Sequence, residues 1–296
     1  MLLAYTREGE TMPSFRGWWQ RLPLVVRASS IGLLVAAAGE APWVVLARIN
    51  VRLSPSIPWA VVVMGVWLFV YWKYLAGAGW PQTTRAARVR SFRSLRLTRR
   101  AWLGALGSGG LAAMSLIALE LVVLRLVHIP AGQSAPGNAI PIHSLIPLAV
   151  MSAFASAIPE EVGFRGYMQA PLERGNHPVF AIGFVAIVFG LAHLSHGLSI
   201  LLLFDFAFGL VYGVLAFYAD SLLPGIILHC ALDVVLFLCG RQIAAAMAGR
   251  PLHLNAWPDV WFWILSLLFV LFGAGAMYSL RKLAGIRPGR SHFENA

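Results

Sequence analysis

The feature that most restricts this chain is a series of about eight apolar stretches, each close to the length of a membrane crossing. They run from Leu24 to Ala47, Ile57 to Ala76, Trp102 to Val127, Ser144 to Arg174, Val179 to Leu194, Leu198 to Ala219, Pro224 to Cys239 and Val260 to Leu280. A hydrocarbon core about 30 Å thick takes roughly 20 residues of helix at 1.5 Å each. Lipid offers no partner to a free N–H or C=O, so these stretches must be helices, and none shows the period-two alternation of a membrane barrel. The expected fold class is therefore all-α, a polytopic membrane bundle of about eight transmembrane helices. Of the 296 residues 59% are hydrophobic and 12% charged, which leaves no room for a separate soluble domain. Pro55 and Pro58, the stretch 130–141, Gly175 to Pro178, and Asp220 to Pro224 mark the clearest breaks. The organisation reads as an N-terminal segment 1–23, a bundle 24–280 and a basic tail 281–296.

The formal charge of +11 raises nucleic acid as a partner, but its placement is that of a topology signal. Fifteen Lys and Arg fall in connections on one side: Arg7, Arg16 and Arg21, seven arginines from Arg85 to Arg100, Arg174, and four at the C-terminus. Four fall on the other side, at Arg48, Arg52, Arg241 and Arg250. The positive-inside rule then predicts a multi-pass protein of the cell membrane with both termini cytoplasmic and no nucleic-acid partner. The arginines from Arg85 to Arg100 interleave with Val89, Phe92, Leu95 and Leu97, a pattern suited to an anionic lipid surface. Cys230 and Cys239 stand about 13 Å apart along one predicted helix, too far to bond each other.

Against this apolar background, ionisable side chains inside the stretches mark candidate sites. Glu160 and Glu161 are adjacent, so they project about 100° apart on a helix and cannot share one job. Glu161 and Arg165 stand at i and i+4 in the favourable order, which predicts a structural ion pair and leaves Glu160 for chemistry. Pro159 cannot donate to Ala155, which predicts a kink beside the carboxylate. If the chain turns near Asn176, Glu160 and His193 both lie roughly 25 Å from the turn and can face each other. His196 is a secondary candidate. His229 and Asp233 form an i, i+4 pair on a later helix. A simple topology separates His229 from His193 in depth, so tilt, a water-filled cavity or an irregular Leu198 to Ala219 stretch must reconcile them. Glu40, Glu120 and Asp205 are further intramembrane acids without an assigned role, and Glu120 is placed to pair with Arg125 near a helix end.

Together, EExxxR at Glu160, Glu161 and Arg165, FxxxH at Phe189 and His193, and HxxxD at His229 and Asp233 resemble the three signature motifs of the CPBP (Abi) family of intramembrane proteases. That family includes the type II CAAX prenyl endopeptidases. The matching residues span about the central quarter of the chain, within 144–240. The resemblance implies an eight-helix enzyme with a polar cavity open to the cytosol and to lipid. It assigns water activation to Glu160 with help from His193, oxyanion stabilisation to His229 and Asp233, and support to Glu161 and Arg165. The prenyl endopeptidases usually carry Asn where this chain has Asp233. An ionised carboxylate cannot donate a hydrogen bond, so Asp233 must either be protonated or act by orienting His229.

The reaction expected is hydrolysis of a peptide bond at the bilayer, on a membrane-associated peptide or protein, lipidated if the likeness extends to the prenyl endopeptidases. No cofactor is required by a glutamate mechanism. Glu160, His193, His229 and Asp233 are also ligand types that suit zinc, and both mechanisms fit the sequence, which lacks HExxH. The alternative from another class is a non-proteolytic scaffold or a bacteriocin-immunity-type protein on the same fold, since fold does not fix function.

Overall fold

The computed structural model describes residues 15–93, 97–126, 140–196, 200–248 and 259–286. Most of the two terminal segments, 1–14 and 287–296, and most of the 130–141 connection lie outside these residues. In chain order the helices are α1 (Phe15–Arg21), α2 (Leu24–Leu53), α3 (Trp59–Leu75), α4 (Arg85–Phe92), α5 (Arg99–Leu126) and α6 (Ile142–Glu160). A π-helical segment (Glu161–Gln169) then leads into α7 (Ala170–Gly175), followed by α8 (Pro178–Ala192), α9 (Leu201–Ala219), α10 (Leu223–Ala248) and α11 (Val260–Ile286). No strand occurs among the described residues. Among the described residues six helices are long and apolar enough to cross a membrane; α3 and α8, at 17 and 15 residues, are apolar but shorter. The polytopic helical bundle expected from hydropathy is present, with the π-helical segment as a feature of its own.

Local chemistry sets the helix ends. Pro178 occupies the first turn of α8, where a missing N–H costs nothing, and the His177 side chain accepts from the Val179 N–H at 3.3 Å. Between α2 and α3 the fully buried Asn50 donates to the carbonyls of Ser54 and Ile57 and accepts from the Ala60 N–H, so one amide closes the turn. Asp220 takes φ 48° after α9, the left-handed conformation that Asp and Asn tolerate best after glycine.

Contacts between connections show that the long helices alternate in direction. At one end Arg93 binds Glu173 of α7 at 2.8 Å and Asp220 at 3.1 Å. At the other, His143 meets the Ser56 carbonyl at 3.1 Å, and Arg125 forks onto both oxygens of Asp259 at 2.6 Å. Arg125 was expected to take Glu120; Asp259 reaches it because α5 and α11 pack side by side, while Glu120 lines the central cavity described below. Hydrogen bonds from Arg125 and then from the Phe262 N–H hold the Asp259 carboxyl down at about 2. Because its pKa is depressed on folding, that pair acts above the ordinary carboxylate range and is lost as pH falls toward 2.

Small residues bring α2 against the π-helical segment. A Cβ on Gly32 would lie 2.7 Å from the Gly163 carbonyl oxygen, and one on Gly163 would lie 2.5 Å from that of Gly32. Backbone thus meets backbone, as helices in lipid pack when small residues face each other. Gly32→Leu should therefore lower the melting temperature in detergent, with an overpacking cost of at least about 1–3 kcal/mol. A Cβ on Gly183 meets nothing within 4 Å, so Gly183→Ala should melt at or above the parent, because alanine favours the helix. Equal effects of the two substitutions would show that the α2 crossing is not closely packed.

Candidate functional site

The approach of α2 sets the position of the π-helical segment, and that segment separates the two adjacent acids. Glu160 ends α6 and faces a cavity of about 700 Å³; Glu161 opens the π-helix and is fully buried behind the wall. A π-turn adds a residue to the helical repeat and turns the side chains that follow. The helix passes through Pro159 without ending, so the expected kink takes the form of this change of winding.

Glu161 Oε1 binds Arg165 Nη1 at 3.1 Å, the i, i+4 pair expected from spacing. The same oxygen stands 3.1 Å from His229 Nδ1, 68 residues away, a contact no local spacing reveals. Since a carboxylate only accepts, Nδ1 carries the proton. Gly225, one turn before His229, leaves space for this approach: a Cβ there would lie 3.0 Å from Glu161 Oε2. His229 Nε2 then points toward two carboxylates, Glu160 Oε2 and Asp233 Oδ2, each at 3.8 Å. Of the two roles open to Asp233, a protonated donor or the group that orients His229, the second falls in this structure to Glu161, which holds Nδ1, while Asp233 stands beside the other nitrogen.

Aromatic rings pack against both Arg165 and His229. The Arg165 guanidinium lies 4.4 Å from the Phe189 ring centre and 5.4 Å from that of Tyr212, and Arg165 Nη2 donates to the Gly209 carbonyl. Tyr212 stacks on His229 with centroids 4.8 Å apart and planes 16° from parallel. Phe189 also meets His193 at 4.5 Å, so the FxxxH motif supplies a ring between Arg165 and that histidine.

His193 follows α8, and its Nδ1 lies 2.8 Å from the Phe189 carbonyl. A carbonyl only accepts, so Nδ1 carries the proton and Nε2 is the lone-pair nitrogen of the neutral ring. At 15 residues α8 rises roughly 22 Å, and His193, which follows it, lines the cavity with Glu160, His229 and Asp233. His193 and His229, which a simple topology separates in depth, thus share one cavity. The side chain of His196 lies outside the described residues.

Three features escape sequence reasoning. Ser156 donates to Glu160 Oε1 at 3.1 Å, a contact its i, i+4 spacing made available. Tyr212 carries no motif that points to His229. Glu40, Glu120 and Asp205, left without a role by the sequence, all line the cavity. As for zinc, the donor types suit it, but among the described residues no three His, Cys, Asp or Glu side chains group closely enough to hold an ion.

Residues 142–235 match the family model described as type II CAAX prenyl endopeptidase Rce1-like. No curated protein and no solved structure matches the chain. The matched region contains Glu160, Glu161, Arg165, His193, His229 and Asp233. Over residues 142–235, which supply most of the cavity lining, the chain is similar to the Rce1-like family, consistent with a protease of the CPBP family.

Proposed function

We propose that the chain is an intramembrane endopeptidase that cuts a membrane-associated peptide or protein, with Glu160 activating the attacking water. The observation that carries this reading is Glu160 Oε2. It is buried, has no hydrogen-bond partner among the described residues, and lies 3.8 Å from His229 Nε2 in a cavity shared with His193 and Asp233. The Rce1-like match supports the peptidase class. The six helices among the described residues that are fit to cross a membrane support a lipid-embedded site.

In this mechanism Glu160 accepts a proton from water as the water oxygen bonds to the scissile carbonyl carbon, while Ser156 holds the other carboxylate oxygen. His193, which lines the same cavity, helps to hold that water. The developing oxyanion needs donors. His229, with Nδ1 fixed on Glu161, presents Nε2–H to it when the ring is protonated, and Asp233 donates in its neutral form. Collapse of the tetrahedral intermediate breaks the C–N bond, and Glu160 returns its proton to the leaving nitrogen. Arg165 takes no part in the chemistry and acts as the counterion of Glu161.

Glu160→Ala and His193→Ala should each lower turnover on the order of 10²-fold or more, with the double variant little worse, since the two act on one water. Turnover within about tenfold of the parent after Glu160→Ala would remove Glu160 as the base. Loss of cleavage with unchanged melting also separates an enzyme from a scaffold.

Asp233→Asn should retain substantial activity if Asp233 works as a neutral donor, and should flatten any loss of rate at high pH because an amide does not ionise. In a zinc mechanism Glu160, His193, His229 and Asp233 are the ligands, and a neutral amide is a poorer one. An inactive Asp233→Asn protein that has lost zinc measured in the parent would replace the glutamate mechanism with the metal one.

We further assign both termini to the cytoplasm, on the fifteen-to-four charge asymmetry. Reporter fusions at Ala296 and within 131–141 should report the cytoplasm and the opposite side respectively. A C-terminal fusion found outside would overturn this orientation.

A further inference from the structure

Away from the central cavity, basic side chains gather where residues 76–84 join α3 to α4. Arg88 of α4 is buried against this connection and donates to the carbonyls of Tyr74 at 2.8 Å and of Ala78 and Pro81 at 3.0 Å, with its guanidinium 4.2 Å from the Tyr74 ring centre. One arginine thus takes up three carbonyls of the turn and is spent on structure. Lys73, in the last turn of α3, and Arg85, which opens α4, are placed differently. Both are exposed, and neither forms an ion pair among the described residues. With Ala76, Gly77, Ala78 and Gln82 they line a pocket of about 350 Å³, whose described lining contains no acid. Gly77, at φ 99°, lets Arg85 lie directly over the connection: a Cβ there would stand 3.1 Å from Arg85 Cγ and 3.4 Å from its Nε.

A second observation indicates what these two cations meet. Val62, Val66 and Phe69 of α3 are exposed, and their spacing puts them on one helical face with Lys73. Lys73 Nζ stands 5.7 Å from the Phe69 ring centre, so the charge sits at the head of an apolar stripe roughly 16 Å long. Trp80, 85% exposed, projects from the same connection, as indoles do at the level of lipid headgroups. In a membrane bundle an exposed apolar stripe faces acyl chains, and this one ends at two cations and an indole. The matching ligand has an alkyl tail and an anionic head. On the orientation proposed above, this end of α3 lies at the cytoplasmic leaflet, where anionic lipids are found.

We infer that Lys73 and Arg85 form a site for the phosphate headgroup of an anionic phospholipid whose acyl chain lies along Val62, Val66 and Phe69. Such a site stands whether or not the central cavity hydrolyses peptides. The full chain, purified in detergent at low salt, would be titrated with fluorescent phosphatidylglycerol and with phosphatidylcholine carrying the same acyl chains and label. Phosphatidylglycerol should bind about tenfold tighter, the scale expected of two basic side chains beside an anionic headgroup, and added salt should shrink the margin. Lys73→Gln combined with Arg85→Gln should abolish the preference; if that protein does not fold, Lys73→Gln alone should reduce it. Arg90→Gln removes an exposed charge from α4 outside the pocket lining and should leave the preference in place. Equal affinities for the two lipids overturn the site, as does a preference that survives the double substitution in protein that melts like the parent. An equal loss in Arg90→Gln would replace it with a diffuse basic surface. Glycerol phosphate that displaces the labelled lipid as readily as unlabelled phosphatidylglycerol does would overturn the lipid and leave a site for free phosphate compounds.

Discussion

A fully buried guanidinium governs this structure. Arg165 cannot shed its proton, so the bundle must surround a permanent charge with an anion, a carbonyl and aromatic faces. Glu161, the Gly209 carbonyl, Phe189 and Tyr212 fill those roles from three helical segments. Breaking a buried pair of this kind by removing one partner costs about 3–5 kcal/mol, because the remaining charge is stranded. The groups that surround Arg165 also build the candidate site. Glu161 Oε1 reaches His229, Tyr212 stacks on the same imidazole, and Phe189 packs on His193. Both histidines are therefore positioned by groups whose first obligation is to the arginine.

Close helix packing makes that arrangement possible. Glycines at Gly32 and Gly163 let α2 press on the π-helical segment, and Gly225 lets α10 approach Glu161. The π-helix then divides two neighbouring acids between two environments, one inside the wall and one on the cavity. Division of labour between Glu160 and Glu161 is thus a consequence of backbone winding as well as of side-chain identity.

Local patterns were legible in the sequence and long-range ones were not. Apolar length located the helices, although α2 continues past Arg48 and Arg52 to Leu53, since long cationic side chains at a helix end reach the interface without stopping the helix. The Glu161 and Arg165 pair follows from i, i+4 spacing, and the shared wall of Glu160 and His193 from equal distances to a turn. Pro159 signalled a disturbance, but a missing donor does not specify a π-helix. The contact between Glu161 and His229 joins residues 68 apart, and the i, i+4 spacing of His229 with Asp233, which left several roles open to the acid, gave no sign of it. That Glu40, Glu120 and Asp205 line one cavity likewise depends on how three helices rotate against one another, which periodicity along each helix does not fix.

The central claim is that Glu161 does two separable jobs, as counterion of Arg165 and as anchor of His229. Melting and peptide hydrolysis measured for Glu161→Ala, Arg165→Met and the double variant test it most directly. Each single substitution strands a buried charge and should lower stability strongly, whereas the double one removes both charges and should regain most of the melting temperature. Hydrolysis should stay lost in the double variant, because nothing then holds His229 Nδ1. A double variant that recovered activity along with stability would contradict the account, reducing Glu161 to a counterion.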